Sequence, residues 1–289
     1  MSVPMLSAII VNYNAGEELR RALQSIADEM HGEPWEAVVV DNASVDGSMA
    51  IVDDFAPVAR GIHNTVNVGF ARGVNQALAA TRAPLVLIIN PDCRLVAGAV
   101  GALRAVLDAH HRCAIVGPRV LDPDGSVQGS ARGDPDMLTG LFGRTSLLQR
   151  MLPWLSVSKR NVMSAEASAE ADGIIVDWLS GACMLARRDA LSAVGGFDER
   201  YFLYWEDADL CRRLRARGFE MRYVPGAAAV HRVGHSSRTA QVAAIGAFHD
   251  SAYRYYSTHV ARTALDPRRP LARALLALRR RWHVRRATR

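Results

Sequence analysis

Cysteine is sparse in this 289-residue chain: Cys93, Cys113, Cys183 and Cys211 lie far apart and form no C-x-x-C pair. That spacing argues against a disulfide framework or a cysteine zinc site and fits a reducing compartment. No apolar run reaches the roughly eighteen residues of a membrane span. The N-terminal "MSVPMLSAIIVNYN" breaks at Asn12 and carries neither a basic leader nor a small-residue cleavage site. No G-x-G-x-x-G follows the first apolar run and no G-x-x-x-x-G-K-[ST] occurs, so neither a standard dinucleotide site nor a P-loop is indicated. There is no internal repeat. Acid is nearly missing from residues 262–289, which hold ten arginines and only Asp266; with the total at +6, that end carries +9 and the preceding chain −3.

What is present is globular. Apolar residues make up 49% of the chain, enough for one large domain or two small ones and too many for whole-chain disorder. "LSAIIV" (6–11), "EAVVV" (36–40) and "LVLII" (85–89) are apolar throughout, as strands covered on both faces are. "GEELRRALQSIADEM" spaces Leu19, Leu23, Ile26 and Met30 at helical intervals, and "FARGVNQALAAT" does the same with Phe70, Val74 and Leu78. The alternation predicts an α/β fold: a mostly parallel, doubly wound sheet whose ligand site lies beyond the carboxyl ends of its strands. Further on, "CAIVGPRVLDPDGSVQGS" reads as a hairpin, residues 134–176 as a mobile lid or partner surface, and Asp177–Arg187 as a strand followed by a short helix ending at Gly195-Gly196.

Three predicted strand ends are polar: Asn12-Tyr13-Asn14, Asp41 to Gly47, and Asn90 to Cys93. A parallel sheet would gather Tyr13, Asp41 and Asp92 on one rim. A ring, a base-reading carboxylate and a carboxylate able to hold Mg²⁺ or Mn²⁺ on a diphosphate describe a nucleotide-diphosphate site. Asp92 is equally placed to cap a helix starting near Val96 or close an Asn-Pro turn, and "DNASVDG" is also good turn chemistry. In "YFLYWEDADLCRRLRARG" four aromatics precede Glu206, Asp207 and Asp209; the acids suit a helix N-terminus, which does not account for the aromatics.

The ordered series "AIIVNYN", "VVVDNASVDGS", "NVGFARGVNQAL", "LIINPDC", "WLSGACMLARRDA", "GGFDERYFLYWEDADLCRRLRARG" and "HRVGHSS" resembles the family-2 glycosyltransferases of the GT-A fold, in particular their bacterial rhamnosyltransferase-like branch. The resemblance implies a GT-A (Rossmann-like) domain over residues 1–260, with a nucleotide-binding half (1–125) and an acceptor-binding half (126–260), followed by a C-terminal helical extension, the basic amphipathic tail 261–289. It implies an inverting transfer of a sugar from a dTDP- or UDP-activated donor to a saccharide hydroxyl, with Asp207 as general base. Tyr13 and Asp41 would meet the base, with Val11, Arg72, Asn75 and Asn90 as further nucleotide contacts. "NPD" stands where the family has D-x-D, so Asn90 replaces the first aspartate and Asp92 is the firm metal ligand. His231 completes the metal shell or is a core histidine. Trp178, Gly181, Trp205 and Glu206 would line the acceptor side, although Trp178 suits a core equally well. Asp209 is expected to cap the helix or pair with Arg212 or Arg213.

The tail mixes Leu275, Leu276, Leu278 and Trp282 with arginine, which suits a helix on an anionic membrane face or a solvated basic end. A lipid-linked saccharide acceptor and a peripheral position on the cytoplasmic membrane's inner face follow from the first. Nucleic acid is not expected, since no stacking platform accompanies the charge. A sugar-nucleotide pyrophosphorylase and a non-catalytic nucleotide-sugar scaffold are the alternatives from other classes.

Overall fold

The computed structural model describes residues 3–133, 172–232 and 241–288. Most of the expected lid, the apolar piece from Phe142 to Leu155 and the end of "HRVGHSS" lie outside the described residues.

The three apolar runs are strands: β1 (Leu6–Asn12), β2 (Trp35–Asn42) and, after β3 (Ala59–Asn64), β4 (Leu85–Ile89). Successive side chains on a strand point to opposite faces, so Leu6, Ala8 and Ile10 enter one core while Ile9 and Val11 enter the other. Helices α1 (Glu17–Glu29) and α3 (Ala99–Ala109) cover the first face. The second is covered by α2 (Phe70–Ala80), α4 (Arg188–Ala193) and α5 (Glu206–Ala216). Both faces being dry, each buried aliphatic side chain contributes about 1.5–3 kcal/mol, and a polar residue in such a strand needs a partner. Ser7 has one, donating to Glu36 Oε1 at 2.7 Å.

Among the described residues the main sheet runs β3-β2-β1-β4-β10-β6-β11-β5, using β5 (Cys93–Leu95), β6 (Cys113–Leu121), β10 (Cys183–Arg187) and β11 (Glu220–His231), with β8 (Ile174–Val176) on β11. The first four strands are mutually parallel. β10 then enters antiparallel to both β4 and β6, so both halves of the chain share one sheet.

Three local readings change. The stretch from Asp177 to Arg187 is two strands, β9 (Trp178–Leu179), which pairs with β7 (Ala131–Arg132), and β10; Ser180 to Ala182 break away between them. The hairpin after β6 returns through a single bridge, Leu121 to Val127. The helix expected near Val96 begins at Ala99, and Glu29 of α1 accepts the Gly98 and Val100 N–H groups, so Asp92 is not its cap.

Beyond the sheet, α6 (Gln241–Tyr255) passes through a π-helical turn (Tyr256–Val260) to α7 (Arg268–Ala287), which packs back on α6. No helix among the described residues is long and apolar enough to cross a membrane.

Candidate active site

Asn12 and Asp41 end neighbouring strands in register. Asn12 Nδ2 donates to Asp41 Oδ1 at 3.0 Å and to the Ser44 and Ser48 hydroxyls, and the Ser44 N–H donates to Asp41 Oδ2 at 3.1 Å. These bonds fix a buried carboxylate at the rim, with Tyr13 half-buried on the same strand end. The sequence marked Asn12 only as a polar strand end, because its partners come from β2 and the loop after it. Val11 faces inward against α2, where a Cβ on Gly73 would lie 3.0 Å from its methyl groups. Its side chain is core, a correction to its expected nucleotide contact.

Arg72 and Asn75 both bond to residues 197–199. Arg72 Nε donates to Glu199 Oε2 at 3.0 Å. Asn75 accepts the Phe197 N–H and donates to Phe197 O and Glu199 Oε1. Both side chains hold the segment leading to the aromatic-acid stretch, and the Arg72 side chain stays largely exposed.

At the end of β4, Asn90, Asp92 and His231 meet although 141 positions separate Asn90 from His231. His231 Nε2 lies 3.2 Å from Asp92 Oδ1 and 3.3 Å from Asn90 Nδ2. Gln128 Nε2 donates to Asp122 Oδ1 and His231 O, which turns its carbonyl oxygen to His231 Nδ1 at 3.1 Å. Nδ1 therefore carries the proton in the neutral ring, and the Nε2 lone pair faces both the Asn90 amide N–H and the Asp92 oxygen. Two facing lone pairs call for a cation or a proton between them. A separation of 3.2 Å is close to the edge of an octahedron with bonds of about 2.1 Å, roughly 3 Å, so the pair fits a hard divalent ion. No group of three or more His, Cys, Asp or Glu side chains suited to a metal occurs among the described residues, so Asp92 and His231 stand as a pair. Gln128 carried no signal in the sequence.

The break between β9 and β10 links this edge to the acid stretch. The Asn90 N–H donates to Ala182 O at 2.9 Å, and the neighbouring Gly181 N–H donates to Asp207 Oδ2 at 2.9 Å. Asp207 Oδ1 accepts its helix neighbour Ala208 N–H at 2.8 Å. Burial raises the Asp207 pKa against these hydrogen bonds, the Trp178 indole dipole and the Arg132 charge, all of which favour the carboxylate. Glu206 is raised further, by burial first and by the Asp207 charge second, and its Oε2 has no partner. Both Asp207 oxygens accept N–H groups while Glu206 Oε2 accepts none, an arrangement that favours the negative charge on Asp207 and the proton on Glu206.

That assignment gives a stability prediction. A carboxyl whose folded pKa lies above its unfolded value stabilises most below the unfolded pKa, and the contribution is lost as pH rises toward the folded one. Glu206→Gln should gain stability relative to wild type as pH increases from about 4.5 through neutrality, measured as the difference in melting temperature across that range. A pH-independent difference would show that Glu206 ionises freely.

Trp178 and Trp205 are stacked at 6.4 Å, Arg132 lies 5.0 Å over Trp178, and Trp205 also meets Phe248 and Tyr255. Their rings form a half-buried cluster, and the Glu206 side chain beside it is buried. The exposed aromatics of the stretch are Phe202 and Tyr204. Burial raises the Tyr204 pKa, and the neighbouring Glu206 and Asp92 carboxyl groups act in the same direction. Tyr204 and Trp205 have φ of 68° and 70°, left-handed values that cost about 1–3 kcal/mol each and cluster at functional sites.

Comparison with known proteins bears on this arrangement. The model for "Glycosyl transferase family 2" matches residues 7–195, and "Glycosyl transferase family group 2" matches residues 149–284. The chain belongs to glycosyltransferase family 2. N-acetylglucosaminyl-diphospho-decaprenol L-rhamnosyltransferase of Mycobacterium tuberculosis is 32% identical over 97% of this chain and 93% of its own length. Rhamnosyltransferase WbbL of Escherichia coli is 45% identical over 22% of this chain and 25% of its own. In fold, the Pyrobaculum calidifontis mannosyltransferase PcManGT, solved with GDP-Man and Mn²⁺, aligns with a TM-score of 0.58 at 18% identity, covering 100% of this chain and 74% of that one. GalNAc-T7, solved with UDP, GalNAc and Mn²⁺, gives 0.60 at 14% identity over 89% and 51%. The GT-A fold and the glycosyltransferase class read from the sequence are thus borne out.

Proposed function

We propose that this glycosyltransferase moves a sugar, L-rhamnose first, from a dTDP- or UDP-activated donor to a hydroxyl of a lipid-linked saccharide, with inversion at the anomeric carbon. The supporting observation is the chain of direct contacts from Asp207 through Gly181 and Ala182 to Asn90, beside Asp92 and His231. It sets a charged carboxylate and a cation-ready pair on one sheet edge. Residues 1–125 take the nucleotide, with Tyr13 on the base and Asp41 accepting its imino N–H. Residues 126–260 take the acceptor, with the backbone at Gly181 and the exposed faces of Phe202 and Tyr204 against the sugars.

Asp207 removes the acceptor proton while the hydroxyl oxygen bonds to the anomeric carbon and the bond to the diphosphate oxygen breaks. Asp92 and His231 would hold Mg²⁺ or Mn²⁺, which as a Lewis acid neutralises charge on the departing diphosphate. The relative from Mycobacterium names a lipid-diphosphate-linked acceptor and an L-rhamnosyl group, and both are adopted here as the first choice.

The test titrates dTDP and UDP with and without Mn²⁺, then screens hydrolysis of a panel of nucleotide sugars. Nucleotide affinity should rise with the metal, and one donor should turn over. Turnover requiring a sugar 1-phosphate and a nucleoside triphosphate would make the chain a pyrophosphorylase; binding without turnover on any acceptor would make it a scaffold.

On α7, Leu271, Leu275, Leu278 and Trp282 are exposed at helical spacing among arginines, while Ala272 and Leu276 are buried. We place this stripe on the anionic cytoplasmic face of the membrane. Leu275→Glu with Leu278→Glu should lower binding to phosphatidylserine vesicles by about tenfold or more, and salt should weaken the wild-type binding. Equal partitioning of both proteins would remove the membrane from the account.

A further inference from the structure

The helix that carries Asp207 is held from the far end of the chain. Asp209, one residue beyond Ala208, is 1% exposed. Its Oδ2 pairs with Arg213 Nε at 2.6 Å, as the helical spacing predicted, but its Oδ1 pairs with His259 Nε2, also at 2.6 Å. The other group at Oδ1 is the Tyr201 hydroxyl at a long 3.4 Å. His259 arrives on the π-helical turn, a widened geometry that recurs at functional sites. The same turn offers its carbonyl to Arg212 Nη2 at 3.3 Å, and Arg212 Nη1 donates to Tyr255 Oη at 3.3 Å.

Three more contacts bind the aromatic stretch to the same region. Ser251 Oγ donates to Leu203 O at 2.9 Å, Phe248 meets the Tyr204 and Trp205 rings, and Tyr255 lies 5.2 Å from Trp205. Residues 248–259 thus close over the two left-handed residues and the first turn of α5. Left-handed residues persist only where the surroundings over-determine them. Among the described residues Asp207 is tied to another element by the Gly181 N–H, with the Trp178 indole nearby, since the Ala208 N–H belongs to its own helix.

We infer that His259 is a positioning residue of the transfer reaction: by pairing with Asp209 it fixes the first turn of α5, and so the direction in which the Asp207 carboxylate faces. The inference rests on Asp207 being the base. Without the imidazole, Oδ1 of a buried carboxylate keeps only the long phenol contact, and the turn relieves that deficit by moving toward water. The nucleotide rim at Asn12 and Asp41 is built from other strands and stays in place.

The experiment compares His259→Gln, whose amide N–H reaches as far as Nε2, with His259→Asn, which is one methylene shorter, both in the full-length chain. Hydrogen exchange of residues 202–210, nucleotide affinity and kcat are measured together. The Asn variant should exchange faster in that segment and lose about 10²-fold in kcat, the scale of an ångström of misplacement. Its nucleotide affinity should match wild type, and the Gln variant should recover both exchange protection and turnover. Equal behaviour of the two variants, faster exchange confined to residues 256–261, or failure of both to fold would overturn the inference and leave His259 a structural residue. If wild type transfers no sugar at all, the functional reading fails while hydrogen exchange still decides the pairing.

Discussion

Asp207→Asn is expected to reduce sugar transfer by about 10²–10⁴-fold, the usual worth of a general base, while dTDP or UDP affinity stays within error of wild type. Asparagine keeps the size of the side chain but cannot accept the acceptor's proton. It also replaces one acceptor oxygen with an N–H₂ that faces either the Gly181 or the Ala208 N–H. That mismatch costs about 1–3 kcal/mol of stability, so the melting temperature is measured beside the rate to separate lost chemistry from lost fold. Burial also fixes the pH profile. With the Asp207 pKa raised, transfer should fall away on acidification above the ordinary carboxylate range near 4, because the protonated form cannot act as base. Full activity in the Asn variant would move the base elsewhere on this edge.

The second large effect comes from a residue with no reactive side chain. Gly69 has φ of 88°, and a Cβ built there would lie about 2.4 Å from Phe202 O, which accepts the Phe70 N–H at 2.8 Å. Its own carbonyl accepts Asn42 Nδ2 at 3.2 Å. Gly69 is therefore the point at which the nucleotide rim, through the Asn42 side chain, meets the backbone that joins the start of α2 to the aromatic-acid stretch. Gly69→Ala should cost about 1–3 kcal/mol through the backbone conformation alone. The clash adds to that and pushes Phe202 away, so transfer should fall together with the denaturation midpoint. An unchanged midpoint with unchanged kcat would mean that the 201–205 segment is not fixed by α2.

The two predictions share a physical reason. Acids in an apolar pocket hold a defined protonation state only while the pocket keeps its shape, and this pocket is assembled from four separated parts of the chain. The start of α2 with Gly69 and Asn75, the backbone at Gly181, the aromatic stretch and the 248–259 region each hold one side.

Much of this was legible in the sequence. The uninterrupted apolar runs at 6–11, 36–40 and 85–89 required strands covered on both faces, and helical spacing around Leu19 and Val74 required the helices that cover them. Polar residues directly after those runs had to fall on one rim, because parallel strands end together. The order of motifs from "AIIVNYN" to "WEDADL" was enough to indicate the family, and family membership does not depend on side-chain orientation. The Asp209–Arg213 pair was readable as well, since it spans one helical turn.

Direction and partnership were decided only by the tertiary structure. Val11 and Asn75 sit in motifs, yet one faces the core and the other holds a loop, because a strand's pleat and a helix's rotation settle orientation after packing. Trp178 and Trp205 belong to the right region but turn toward each other, burying apolar area that a sugar would cover less completely. Gln128 and His259 gave no sequence signal, since each acts on a residue more than a helix length away and nothing local requires it. Local periodicity is written in the chain because neighbouring residues share one backbone. The state of a carboxylate depends on whatever distant groups surround it, and those meet only once the sheet has closed.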